Sequence, residues 1–208
     1  MTAVEDRPLR ADAARNAARI LRAARAVYGE LGPDAPMEAV ARRAGVGERT
    51  LYRRFPAKAD LLRAALDQSV AEDLTPAIED ARRVDDPLQG LNQLIEAAIG
   101  LGARERHLLT AAHRAGSLTP DISDSLNQAL YELVRRGQEV ALVRADLVAE
   151  DLPRLIAMLY AVLPTMDSDS DGWRRYVALI LEAISIAEPK QLPAGAALRI
   201  SEPSSWRL

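Results

Sequence analysis

Cysteine is absent from this 208-residue sequence, which removes disulfides, thiol nucleophiles and Cys-ligated zinc from consideration. Histidine occurs only at His107 and His113. Six residues apart on a helix, the two would project about 240° from each other and so cannot chelate one ion. No His–carboxylate motif accompanies them, and no signature of a catalytic residue, a metal site or a bound cofactor follows residue 60. Aromatics make up 4% of the chain, with modest glycine and proline, while Ala, Leu and Arg are frequent. That balance favours helices over sheets. No uncharged apolar run approaches the roughly 20 residues that span a bilayer. Residues 1–10 are polar and lack the apolar core of a secretory signal. The expectation is a cytoplasmic protein that is neither an enzyme nor a membrane partner.

What the chain does have is apolar content of 49%, enough for a globular fold, and an uneven distribution of charge. The net charge of −3 on its face argues against nucleic acid. Yet residues 1–60 hold twelve Lys and Arg against eight Asp and Glu, whereas residues 61–208 hold fifteen against twenty-two. A basic front on an acidic body suits a DNA-binding head whose remaining surface stays off the phosphates.

Helical periodicity starts at 12–31, where Ile20, Ala24, Val27, Tyr28 and Leu31 form one stripe and Arg15, Arg19, Arg22 and Arg25 cluster opposite. Gly32-Pro33 stops it. A short helix over 36–44 turns Met37, Val40 and Ala41 inward, with Pro36 at its first position. After Gly45-Val46-Gly47, a second short helix over 48–55 puts Leu51 and Phe55 on one face, and Pro56 ends it. A longer helix over 58–73 follows, then helices near 77–84, 88–102, 104–115, 120–139, 148–163 and 172–187. Thr75-Pro76, Asp86-Pro87 and Thr119-Pro120 each read as an N-cap followed by a first helical position. No alternating strand pattern appears, and the proline-containing 188–208 reads as an irregular tail. The fold class is all-α. Its expected organisation is a three-helix DNA-binding domain over 1–57, an effector-binding and dimerisation domain over 58–187, and the tail.

Two short helices joined by a glycine turn form a helix-turn-helix, whose second helix enters the major groove. Gly45 suits a position of positive φ, and Val46 plugs the space between the helices. Leu51 and Phe55 anchor the second helix. Its outer face offers donors to bases and phosphates from Arg49, Thr50, Tyr52, Arg53 and Arg54.

Residues 19–66 carry Ala24 and Gly32, then Val40-Ala41, Ala44-Gly45-Val46, Thr50-Leu51-Tyr52, Phe55, Lys58 and Leu61-Leu62. In this combination the stretch strongly resembles the DNA-binding domain of the TetR family of bacterial one-component regulators. The resemblance implies that Thr50 and Tyr52 meet DNA, with Tyr52 on the backbone, and that Lys58 touches a phosphate. It places Arg49, Arg53 and Arg54 at the variable positions that set operator preference. Three positions depart from the family pattern. Pro36 replaces the usual Thr or Ser, which removes one backbone contact. Gly47 stands where Ser is common, and Arg49 where a small residue is common.

Two further features bear on partners. The 172–187 segment is apolar along Tyr176, Ile180, Ile184 and Ala187 and again along Leu179, Ala183 and Ile186, so it needs burial on two faces. The resemblance places a four-helix dimer interface in the last two large helices, here 148–163 and 172–187. It also implies a small-molecule effector inside the C-terminal domain, in a lining drawn from 88–166. His107, His113, Tyr131 and Tyr160 are the polar or aromatic contacts expected there. Asp167, Asp169, Asp171 and Gly172 spell the opening of a calcium loop, but its twelfth position falls on Ala178 rather than Glu. Acids gathered at a helix start, with Asp171 as cap, account for them better. The leading reading is therefore a dimeric, ligand-responsive repressor on a near-palindromic operator. Its rivals are a helical enzyme and an architectural DNA binder without an effector.

Overall fold

The computed structural model describes residues 6–118, 121–148, 150–166 and 171–186, and side chains from residue 14 onward, those of residues 121 and 122 excepted. Among them the chain is helical, with no strand. The one sheet-like contact is a bridge between Val143 and Ser185. The helices are α1 (Asp6–Leu31), α2 (Met37–Ala44), α3 (Glu48–Arg54), α4 (Lys58–Ser69), α5 (Thr75–Arg83), α6 (Pro87–Arg104), α7 (Arg106–Arg114), α8 (Asp121–Glu139), α9 (Asp151–Val162) and α10 (Arg174–Ile184). The expected tail lies outside the described residues, as do Thr119-Pro120 and Ala187.

Chain contacts divide the protein into two compact units, one running to Glu72 and including 104–122, the other comprising 73–103 and 123–208. The first unit forms around α1. Its stripe of Ile20, Ala24, Val27 and Tyr28 is buried against Val40 and Ala41 of α2, Leu51 of α3 and Leu61, Leu62 and Ala65 of α4. Each large aliphatic side chain buried there contributes about 1.5–3 kcal/mol. Leu108, Ala111 and Ala112 of α7 close the same core. The packing unit thus runs past the expected boundary at 57, because α1, α2 and α3 leave apolar surface that α4 and α7 cover.

In the second unit Leu91, Leu94, Ile95 and Ile99 of α6, Leu130 and Leu133 of α8, Leu152 and Ile156 of α9 and Val177 of α10 are all buried. Helix ends in this unit are closed by side chains. Asp86 Oδ1 accepts the Leu88 N–H at 2.9 Å and so caps α6, as its sequence indicates. The Arg136 guanidinium donates to the carbonyls of Arg82, Val84 and Asp85 at 3.1, 2.7 and 3.3 Å, satisfying the C-terminal end of α5.

Three local expectations are corrected. Helix α1 starts at Asp6 rather than 12, before any apolar stripe exists to reveal it. The Thr75-Pro76 pair does not open a fresh helix. Helix α4 stops at Ser69 and runs through a π-helical turn, Val70–Leu74, directly into α5, with Leu74 in helical conformation. Pro76 has no N–H and would crowd the carbonyl four residues back, so a widened turn just before it relieves the helix without breaking it. Asp171 does not cap α10 through its side chain. Its carbonyl accepts the Arg174 N–H at 2.9 Å, while its carboxylate lies 3.4 Å from Arg174 Nε. Asp167 and Asp169 fall outside the described residues.

Candidate nucleic-acid interface

Helix α2 ends where Gly45 enters the left-handed region at φ 64°, and its N–H bonds to the Arg42 carbonyl. A residue with a Cβ is strained in that conformation, so glycine sets the tight reversal. The Val46 N–H then closes on the Ala41 carbonyl at 3.0 Å. Two residues later α3 begins, with the Gly47 carbonyl accepting from Thr50 and Leu51 at 2.9 and 3.1 Å. Leu51 is fully buried and Phe55 nearly so. These two anchors fix which side of α3 faces outward.

On that outer side Arg49, Tyr52, Arg53 and Arg54 are exposed, and Thr50 is half-buried at its edge. The Arg54 guanidinium lies over the Phe55 ring, 5.5 Å from its centre, which steadies its stem while leaving donors outward. At seven residues α3 is about 10 Å long, and a helix of this width fits the B-DNA major groove. Guanidinium groups suit such a face, because their planar fork matches guanine edges and phosphates alike.

Two of the expected residues have further partners. Lys58 is half-buried; its ammonium donates to the Ala35 carbonyl at 3.1 Å and lies 5.3 Å from the centre of the buried Tyr28 ring. It therefore also ties the start of α4 to the loop before α2. Tyr52 donates its hydroxyl to Glu38 Oε1 at 3.1 Å, across from α3 to α2. That bond, with the nearby Glu38 and Glu48 charges, holds the phenol above its ordinary pKa. Sequence reasoning missed Glu38. An acid in the first turn of a helix has an ordinary dipole explanation, and nothing in its spacing marks it. Arg43 of α2 pairs with Glu30 of α1 in a two-pronged contact, one bond at 3.0 Å, which braces the two helices.

The four residues expected at an effector site are divided between the two units. His107 and His113 belong to α7 of the first unit, and His113 is exposed. His107 Nδ1 lies 3.2 and 3.3 Å from the carbonyls of Tyr28 and Gly29, so Nδ1 carries the proton and fastens α7 to the end of α1. Tyr131 is exposed on α8. Tyr160 alone turns inward within the second unit. Its hydroxyl donates to the Ala98 carbonyl at 2.8 Å, and burial pushes it up to about 12. An apolar groove of about 390 Å³ does exist in the second unit, between α9 and α10, lined by Leu155, Met158, Val162, Tyr176, Leu179 and Ile180 among others. None of the four residues lines it. Among the described residues no three His, Asp or Glu side chains come together to hold a metal ion, and no helix is long and apolar enough to cross a membrane.

A helix-turn-helix with an exposed, arginine-rich second helix, in a chain whose other unit is helical among its described residues, has the architecture of a DNA-binding transcription regulator. Residues 20–65 match the family model of bacterial regulatory proteins, tetR family. Over that stretch the chain is similar to the DNA-binding part of that family. A TetR transcriptional regulator from Streptomyces coelicolor is 28% identical, with 81% of this chain and 98% of that one covered at a TM-score of 0.57. A TetR regulatory protein from Mycobacterium vanbaalenii is also 28% identical, with 86% and 100% covered at a TM-score of 0.62. A regulator from Saccharomonospora viridis, solved in complex with choline, shares the fold at 22% identity, 81% and 96% coverage and a TM-score of 0.65. No curated protein matches the sequence.

Proposed function

We propose that this regulator is a ligand-released repressor that binds a palindromic operator as a homodimer through α3. The observation that carries the reading is the two-sidedness of α3: Leu51 and Phe55 buried, Arg49, Tyr52, Arg53 and Arg54 outward. Residues 1–57 make the DNA contacts in this reading, with Thr50 and Lys58 at the edges, and 58–187 dimerise and receive the effector. Acting on chromosomal DNA, the protein works in the cytoplasm.

Dimerisation is supported by the α9–α10 face. Met158 is 65% exposed and Leu179 40%, with Val162 and Ile186 beside them on the same two segments, an apolar surface that a second copy would cover. Two-fold symmetry then sets the two recognition helices about 34–36 Å apart, on successive major grooves. Release by a ligand is supported by the family and by the choline seen in the Saccharomonospora viridis regulator. The mostly apolar interior of the second unit suits a molecule held by few hydrogen bonds. Tyr160 is the expected contact on α9.

The test is selection of duplexes from a randomised pool, followed by gel-shift titration of the enriched sequence. Tyr52→Ala and Arg53→Ala proteins that remain folded should each lose affinity, by about tenfold for a lost base contact. Unchanged affinity in both would remove α3 from the interface. A constitutive DNA binder without effector is the second reading, favoured by the bonds of His107 to the Tyr28 and Gly29 carbonyls, which account for that residue without a ligand. A thermal-shift screen of apolar metabolites, with each hit tested for operator release, separates the two.

A further inference from the structure

Tyr52 is a large exposed side chain on the outer face of α3, and its one hydroxyl proton is already donated. It goes to Glu38 Oε1 at 3.1 Å, between two exposed side chains fourteen residues apart. Glu48, in the first turn of α3, adds to the negative field at the same phenol. A phenol has a single proton to donate. A phosphate oxygen arriving at Tyr52 is then a second anion competing for that proton, and the two anions repel each other across one hydroxyl.

Resting on the reading of α3 as the DNA-facing helix, we propose that Glu38 is an affinity-setting residue of the interface, whose carboxylate occupies the Tyr52 hydroxyl and opposes the phosphate that would take its place. The consequence is specific. A phosphate contact carries no base information. The cost of displacing Glu38 is therefore the same on every duplex, so this residue lowers affinity for the preferred sequence and for unrelated DNA by the same factor. It leaves their ratio, which Arg49 and Arg53 would govern, unchanged. A residue that merely orients Tyr52 would behave differently, since removing its charge while keeping its acceptor would gain nothing.

The experiment uses the full chain, a duplex enriched by the wild type from a randomised pool, and a scrambled duplex of the same composition. Glu38→Gln keeps an acceptor oxygen near the phenol and removes the charge. It should bind both duplexes about two- to fivefold more tightly at low salt, the range expected for one exposed charge. In a Tyr52→Phe background the same substitution should give a clearly smaller gain. Ultraviolet titration supplies a readout without DNA: one tyrosine, identified by its loss in Tyr52→Phe, ionises above the ordinary value of about 10 in the wild type and moves back toward it in Glu38→Gln. Equal or weaker binding by Glu38→Gln overturns the proposal, as does an undiminished gain in Tyr52→Phe, or a tyrosine titration indifferent to the substitution. A wild-type protein that enriches no sequence and binds neither duplex overturns the DNA-binding reading itself, while the tyrosine titration still reports whether the Glu38–Tyr52 bond exists.

Discussion

Arg25 donates through Nε to Glu105 Oε1 at 2.6 Å, joining α1 to the start of α7 across eighty residues of sequence. Glu105 is nearly buried, Arg25 mostly so, and a second donor of the same guanidinium reaches Glu72 at 2.7 Å. Ser69 Oγ lies 3.2 Å from Glu105 Oε1 as well, so α1, α4 and α7 meet at one carboxylate. Removing one partner of such a pair leaves the other charge buried without compensation. Arg25→Ala should therefore cost about 3 kcal/mol, and Arg25→Lys part of that, read from urea unfolding. Wild-type stability in Arg25→Ala would show that water replaces the guanidinium at no cost.

Gly102 is a close-approach position of a different kind. A Cβ built there would clash with the Cε1 edge of the Tyr160 ring, with Cδ1 only 2.7 Å away. Gly102→Ala should displace Tyr160, break its bond to the Ala98 carbonyl and cost about 1–3 kcal/mol. Combining it with Tyr160→Ala should return less than the sum of the two single losses, because the clash is then gone.

Alkaline stability follows from two tyrosines. Burial raises both Tyr28 and Tyr160 from 10.0 to about 12. The folded chain thus holds these protons more tightly than the unfolded chain does. Their contribution is fully present below pH 10 and is lost as pH rises toward 12. Unfolding free energy should fall across that window, and Tyr160→Phe should flatten the slope. A wild-type slope in Tyr160→Phe would assign the effect elsewhere.

Charge on the α9–α10 face should separate subunits without unfolding them. Met158 is 65% exposed in the single chain, so Met158→Asp leaves the core untouched. In the proposed dimer it would set an unpaired carboxylate in an apolar contact, weakening association at least about tenfold by sedimentation. A wild type that sediments as a monomer at micromolar concentration would refute the dimer directly.

The all-α class and most helix ends were legible because they are local. Gly32-Pro33, Gly45 and Pro56 stop helices for reasons that need no tertiary contact, and the 3.6-residue stripes through Ile20, Tyr28 and Leu51 point to their burial. The π turn before Pro76 was not legible, since a capping pair and a proline tolerated after a widened turn have the same sequence. On the interface, the outward positions of Arg49, Tyr52, Arg53 and Arg54 followed from the anchors Leu51 and Phe55. The Glu38–Tyr52 bond joins two helices, and no period within either helix encodes it. His107 shows the same limit. Its helix position says nothing of the Tyr28 and Gly29 carbonyls that hold it.

Helix α3 is preceded by Gly47, which has no side-chain oxygen to cap it, and it runs for only seven residues. So short a segment does not persist as a helix in water by itself. Its backbone amides should then exchange with solvent deuterium on the schedule of its two anchors rather than on one of its own. Leu51→Ala, by opening a cavity worth about 2–5 kcal/mol, would turn the reading element into an intermittent one. The lifetime of the closed state, measured amide by amide over 50–55, would then state what fraction of the time there is a helix present to meet DNA.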